Sequence, residues 1–145
     1  LIAPPGPGRV FLNGGPTPVY LRPEEYPLLG DADAPILLVE LYDYTCPHCR
    51  RLHEMLEAAR EHYGERLAII ALPVPLDAAC NPLVAETEPR HETACELATI
   101  ALATWRADPA AFAAVHDWML RGDDPPTPEA AQARAEEAVG AEALR

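Results

Sequence analysis

The spacing of hydrophobic residues changes repeatedly along the chain, and each change marks a predicted element. The first 35 residues are rich in Pro and Gly, with two short apolar runs, RVFLN and PVYL, on either side of GGPTP. Two short strands around a turn are predicted there. PILLVELYDY (35–44) follows, apolar enough for a strand buried on both faces and interrupted by one acid, Glu40. Leu52, Met55, Leu56, Ala59 and Tyr63 then recur at helical spacing, with Arg51, Glu54, Glu57 and Glu61 on the other side. This predicts an amphipathic helix stopped by Gly64. RLAIIAL (66–72) is a second buried strand, cut off by Pro73 and Pro75. Strand, crossover helix and strand in that order predict a right-handed βαβ unit with parallel strands.

Beyond Pro75 the chain becomes Ala-rich and helical. Pro89 opens a helix over about 90–106, Asp108-Pro109 caps a second that ends before Gly122, and Thr127-Pro128 caps a third that ends before Gly140. Their inner faces are predicted to be Leu97, Ala98, Ala101 and Trp105, then Phe112, Val115, His116 and Met119, all as core. The expected architecture is α/β in one domain, residues 1–145: N-terminal strands and loop (1–34), the strand–helix–strand (35–72), then a loop and helical insertion (76–140).

Composition narrows the function. The chain has 145 residues, 49% of them apolar, enough for a core without staples. Its 11 basic side chains are all Arg, and 23 acids give a formal charge of −12, which argues against a grip on nucleic acid. Apolar runs such as Ile36–Val39 and Leu67–Leu72 are far short of the roughly 20 residues of a membrane span, so a soluble piece is expected. The opening LIAPPGPGRV has neither Met nor a charged n-region, so any signal peptide or anchor is expected to have been removed or to lie outside these residues.

The chemistry is concentrated in DYTCPHCR (43–50). Cys46 falls at the N-cap of the predicted helix, where unpaired N–H groups and the positive end of the helix dipole favour a thiolate. Pro47 suits the first helical position and stiffens the turn that brings Cys49 back to Cys46. His48 is placed to add a hydrogen bond or positive charge near the Cys46 sulfur, and Arg50, Arg51 and His53 are expected to add positive potential. A haem anchor needs C-x-x-C-H, and residue 50 is Arg. Zinc would need partners for Cys46 and Cys49 beyond His48 or His53, and no second C-x-x-C or H-x-x-x-H follows. A redox dithiol, with no metal or organic cofactor, is the favoured reading over zinc or a purely structural disulfide.

The strand ILLVELYDY, the motif TCPHC, the amphipathic helix and the second strand together resemble the thioredoxin superfamily. The dipeptide Pro47-His48 and the helical insertion resemble its DsbA-like branch. The stretch LLGDADAPILLVELYDYTCPHCRRLH is also similar to bacterial thioredoxin-like domains, some fused to vitamin K epoxide reductase homologues. The resemblance implies thiol–disulfide exchange with protein thiols, an extracytoplasmic setting and a quinone-linked membrane redox partner. Cys46 would be the nucleophile and Cys49 the resolving thiol, with an oxidase expected. A reductase or isomerase of the same fold, or a redox-inactive binding module, is the alternative.

Glu40 stands six residues before Cys46, where the family carries a buried acid. A lone acid in an apolar strand is costly unless paired, hydrogen-bonded or protonated, and burial raises its pKa, which suits a proton shuttle for Cys49. The family also carries a strand preceded by a cis-proline that faces the dithiol, and no such closing hairpin is apparent before GAEALR. Thr17-Pro18, ahead of an apolar run, is the one candidate for a substitute, although a simple hairpin explains the same residues.

Cys80 and Cys95 remain. A bond between them would close a loop of about 15 residues worth ~3 kcal/mol in the chain-entropy model. A structural disulfide is expected over a second shuttling pair, because neither cysteine has a helix-cap setting. His91 is expected to be a surface residue at a helix start.

Overall fold

The computed structural model describes residues 10–12 and 19–145. Strands β1 (Val10–Leu12) and β2 (Val19–Leu21) pair antiparallel as a separate two-stranded sheet. The second sheet joins β3 (Leu28–Leu29), β4 (Ile36–Tyr42) and β5 (Leu67–Pro73) in the order β3-β5-β4. β4 and β5 run parallel from Ile36 opposite Leu67 to Tyr42 opposite Pro73, and β3 lies antiparallel on the other side of β5. Helix α1 (Pro47–Tyr63) connects β4 to β5, as the hydrophobic pattern predicts, and ends at Gly64 with φ of 56°. Gly30, with φ of 114°, passes so close to β5 that a Cβ would lie 2.8 Å from the Leu67 carbonyl oxygen.

Every residue from Leu67 to Ala71 is buried, because β5 is flanked by a strand on each side and covered by helices. The core gathers Leu29, Tyr42, Tyr44, Leu67 and Ile69 with Leu97, Ala101, Phe112, Val115, Met119 and Leu120 from the helical insertion. That insertion is α2 (Ala94–Ala107), α3 (Pro109–Leu120) and α4 (Pro128–Val139). Asp108 and Thr127 cap α3 and α4 through their side chains, accepting from the amides of Ala110 and Ala130. The residues expected on the inner faces of α2 and α3 are buried, except that Trp105 is half-buried and Thr104 takes a fully buried place beside it. Pro89 opens only a 3₁₀ turn, Pro89–His91, and the α-helix starts at Ala94.

Two expectations fail for one reason. β4 is not buried on both faces: Ile36, Leu38 and Leu41 are 39%, 41% and 62% exposed, because among the described residues β4 has a neighbour on one side only. The stripe expected to be the inner face of α1 is likewise uncovered at Leu52, Met55 and Tyr63, while Leu56 and Ala59 are partly buried. The fully buried positions of α1 are polar, Arg50 and His53. Each has partners on the helical insertion that replace water, so the inward face is set by those partners and not by the apolar periodicity. Among the described residues no strand follows β5 and no peptide bond is cis. Thr17-Pro18 lies outside the described residues; β2, the strand after it, pairs with β1 and not with β4, so it does not substitute for a closing strand.

Candidate active site

β4 ends at Tyr42, and the three residues after it carry the chain into α1 through side-chain hydrogen bonds. The Asp43 carboxylate accepts from the Thr45 amide at 2.6 Å and from the Thr45 hydroxyl, and its other oxygen accepts from the Leu76 amide. An Asp two residues ahead of a Thr closes this kind of local turn, and it fixes the backbone at the residue before Cys46. Cys46 is then the N-cap of α1, with φ of −82° and ψ of 119°, and Pro47 occupies the first turn. No side chain caps this helix, so its first N–H groups face the Cys46 position.

Cys46 and Cys49 are both free and partly exposed, with side chains in contact across the first turn. The Asp43 amide points to the Cys49 sulfur at 3.5 Å. Burial pushes the Cys49 thiol up to about 11, and the neighbouring Cys46 and Asp43 add to the rise against the Asp43 N–H contact, which opposes it. His48 is exposed to solvent, between Cys46 and Cys49 in sequence.

Glu40 is 5% exposed, and neither carboxylate oxygen has a hydrogen-bond partner among the described residues. Burial, then the charge of Glu57 on α1, raises its pKa from 4.5 to about 7. Glu40 also acts electrostatically on Tyr42 and Tyr44, whose pKa values burial holds well above the usual range. Those tyrosines form a buried chain in which the Tyr42 hydroxyl donates to the Tyr44 hydroxyl, which lies 2.9 Å from His116 Nδ1. Burial lowers the His116 pKa to about 3, so the imidazole is neutral.

The structure corrects the surroundings of the dithiol in three places. Arg50 adds no charge beside Cys46; its guanidinium is turned inward, donating to the carbonyls of Tyr44, Met119, Arg121, Gly122 and Asp124. His53 is also buried and lies 2.8 Å from Asp117 on α3. His91 is not a surface residue: it is 7% exposed, with Nδ1 at 2.6 Å from the Thr45 hydroxyl. Asp43, Thr45 and His91 therefore form a buried polar chain behind Cys46 that the spacing of apolar residues did not reveal. The polar sequence Asp-x-Thr at the end of a buried strand was the available signal.

Cys80 and Cys95 are joined in a disulfide with an S–S distance of 2.06 Å. It closes the loop that carries His91 onto Thr45, just after the segment whose Leu76 amide meets Asp43. Asp77 braces the same loop, accepting from the Ala79 amide and the Thr87 hydroxyl at 2.9 Å each. The group of metal-ligand side chains that converges among the described residues is His53, Glu57 and Asp117, and neither Cys46 nor Cys49 belongs to it.

A dithiol at the start of a helix that follows a parallel strand, with a helical insertion behind it, defines a class. Residues 23–143 match the family described as thioredoxin, and the chain belongs to that family. Its fold is that of the DsbA-like thiol–disulfide oxidoreductases of the thioredoxin superfamily. It is similar to a periplasmic thioredoxin-like protein from Salmonella enterica serovar Typhimurium, at 30% identity and a TM-score of 0.60, over 79% of this chain and 57% of that one. It shares its fold with the thiol-disulfide exchange protein alpha-DsbA2 from Wolbachia pipientis, at 15% identity and a TM-score of 0.62, over 83% and 57%. A stretch of 57 residues is 40% identical to part of the Na(+)/H(+) antiporter NhaA 1 of a Mycobacterium species, covering 39% of this chain and 9% of that protein. The chain thus spans a little over half of these solved relatives and under a tenth of the curated one. No helix among the described residues is long and apolar enough to cross a membrane.

Proposed function

We propose that the chain exchanges disulfides with protein thiols through Cys46 and Cys49, as an oxidase in an extracytoplasmic setting. The observation that carries this reading is the free dithiol at an uncapped helix N-terminus, with its second thiol pushed up to about 11. In the oxidising direction a substrate thiolate attacks the Cys46 sulfur of the Cys46–Cys49 disulfide, and Cys49 leaves. With a thiol of such high pKa, Cys49 leaves well only if protonated, and Glu40, poised at about 7, is the proton donor, directly or across one water. A second substrate thiolate then attacks the mixed disulfide and releases Cys46 as a thiolate, which the helix N-terminus stabilises. Two electrons pass from the substrate dithiol to Cys46 and Cys49. In the reverse direction Glu40 takes the proton from Cys49 as it attacks the mixed disulfide. His48 supports the Cys46 thiolate from the exposed side.

The preference for oxidation rests on charge. The helix N-terminus stabilises a thiolate and has no equivalent partner in the neutral disulfide, so the reduced folded form gains stability that the oxidised form lacks. An extracytoplasmic location is supported by the periplasmic relative, and reoxidation by a quinone-linked membrane protein, of the vitamin K epoxide reductase type, fits that location. The reading is tested by equilibrating the Cys80→Ala/Cys95→Ala protein in glutathione buffers and counting free thiols. A potential above about −200 mV is expected for an oxidase; one near −270 mV, roughly that of thioredoxin, assigns a reductase, and a far lower one an inert module.

A further inference from the structure

His53 and Glu57 are four residues apart on α1 and so project from the same face of the helix. Asp117 on α3 meets them there. One ligand atom from each of the three lies within 4.8 Å of the other two, and the three line an open cavity of about 330 Å³ together with Glu54, Glu61 and Arg121. The geometry points to a binding site for one divalent transition-metal ion of the zinc class, held by His53 Nε2 and one carboxylate oxygen each from Glu57 and Asp117.

An ion-pair network is the simpler account of such a cluster, and it explains only part of what is here. His53 Nε2 lies 2.8 Å from Asp117 Oδ1, and Arg121 holds Asp117 Oδ2 at 3.0 Å. That pairing is complete without Glu57, whose charge is met by Arg60. Glu57 nevertheless converges on the same point, with Glu54 and Glu61 on the cavity wall. Four carboxylates thus surround one imidazole with two guanidiniums to balance them, an excess of negative charge that favours a dication. The Arg60 and Arg121 contacts would orient the two ligating carboxylates from outside, as hydrogen bonds to metal ligands commonly do.

The donor set decides the class of ion. An imidazole nitrogen with two carboxylate oxygens suits zinc and its neighbours, whereas calcium and magnesium prefer oxygen alone. Three protein ligands leave a tetrahedral ion one position open toward the cavity. On binding, the ion replaces the hydrogen bond between His53 Nε2 and Asp117 Oδ1, and the neutral ring carries its one proton on Nδ1. Bridging α1 to α3, the ion would tie the dithiol helix to the insertion.

The test uses the full chain with Cys46 and Cys49 replaced by Ser, so that no free thiol competes, titrated with Zn²⁺ by calorimetry and followed by thermal melting and the NMR signals of the His53 ring. One ion per chain is expected, with Kd below about 10 µM, a higher melting temperature and a shifted His53 ring. Glu57→Gln and Asp117→Asn are each expected to weaken binding at least about tenfold, and Glu61→Gln, which lines the cavity outside the ligand set, less than about threefold. Should Asp117→Asn fail to fold, the partly exposed Glu57→Gln decides alone. Absence of saturable binding, an unmoved His53 ring, or equal affinity in Glu57→Gln would overturn the site.

Discussion

The backbone amide of Asp43 points to the Cys49 sulfur at 3.5 Å, while the Asp43 carboxylate holds the turn that delivers Cys46. The same residue therefore acts on the half-buried thiol in opposite senses: its N–H favours the thiolate, and its negative charge opposes it. Burial is the larger cause of the rise to about 11, so removing the charge lowers the Cys49 pKa without restoring it to the ordinary value. Asp43→Asn is expected to do this, seen as faster alkylation of Cys49 at alkaline pH in a Cys46→Ser background. The variant also replaces an oxygen that accepts a buried N–H by an amide donor, at a cost of about 1–3 kcal/mol in urea unfolding. Alkylation slower than in the parent would show that the carboxylate does not oppose the thiolate.

Glu40 carries the clearest pH dependence. Its folded pKa is raised from 4.5 to about 7, so the folded state holds this proton more tightly than the unfolded one. The stability this contributes is fully present below pH 4.5 and is lost as pH rises through about 7. The shift corresponds to about 3 kcal/mol. Glu40→Gln stays neutral throughout, so urea midpoints of variant and parent should be close at acid pH and the variant should gain up to that amount by pH 8. Parallel profiles would place the carboxyl in contact with water or a partner. In rapid-mixing assays the same variant should slow the step that needs Cys49 and leave attack at Cys46 nearly intact; equal slowing of both would remove the proton-shuttle role.

The unit that holds the dithiol was legible because its physics is local. Two apolar runs, a 3.6-residue period and Cys46-Pro47 at its start specify strand, helix cap and strand without reference to the rest of the chain. Cys80 and Cys95 were legible as a pair because so few other partners exist. What the sequence hid depends on contacts between distant segments. Arg50 and His53 look like surface charges until Met119, Asp117 and their neighbours are placed against them. His91 looks like an exposed helix start until the disulfide-closed loop brings it to Thr45. Leu38, Leu41 and Met55 look like core because hydrophobicity does not say which faces lack a neighbour.

Arg50 should matter to folding more than to redox chemistry. Its five backbone acceptors include the carbonyls at and just beyond the C-terminal end of α3, where no helical partner exists. Arg50→Met leaves them unmet, and the buried Tyr44 and Met119 carbonyls cannot turn to water. A loss of about 3–5 kcal/mol in urea unfolding is expected, with Arg50→Lys recovering little because one ammonium cannot span five acceptors. At a temperature where the variant is still folded, its equilibrium with glutathione should match the parent. A large change in potential with little change in stability would return Arg50 to the surroundings of the dithiol.

The Cys80–Cys95 bond spans 15 residues, and the loop it closes brings His91 to Thr45. Its cost of removal is therefore set first by chain entropy, about 3 kcal/mol for a loop of this length. Replacing both cysteines by Ala should lower the urea midpoint accordingly while disulfide exchange at Cys46 and Cys49 continues under conditions where the protein remains folded. The looser loop should release the His91 contact before the core opens, seen as faster amide exchange over residues 76–91 than in β5. A relay of electrons from Cys80 and Cys95 to the dithiol makes the opposite demand: the double variant would stay folded and lose turnover. Cys80 lies exposed in the loop and Cys95 is the second residue of α2, inside the helix rather than at its N-cap, the place Cys46 holds in α1.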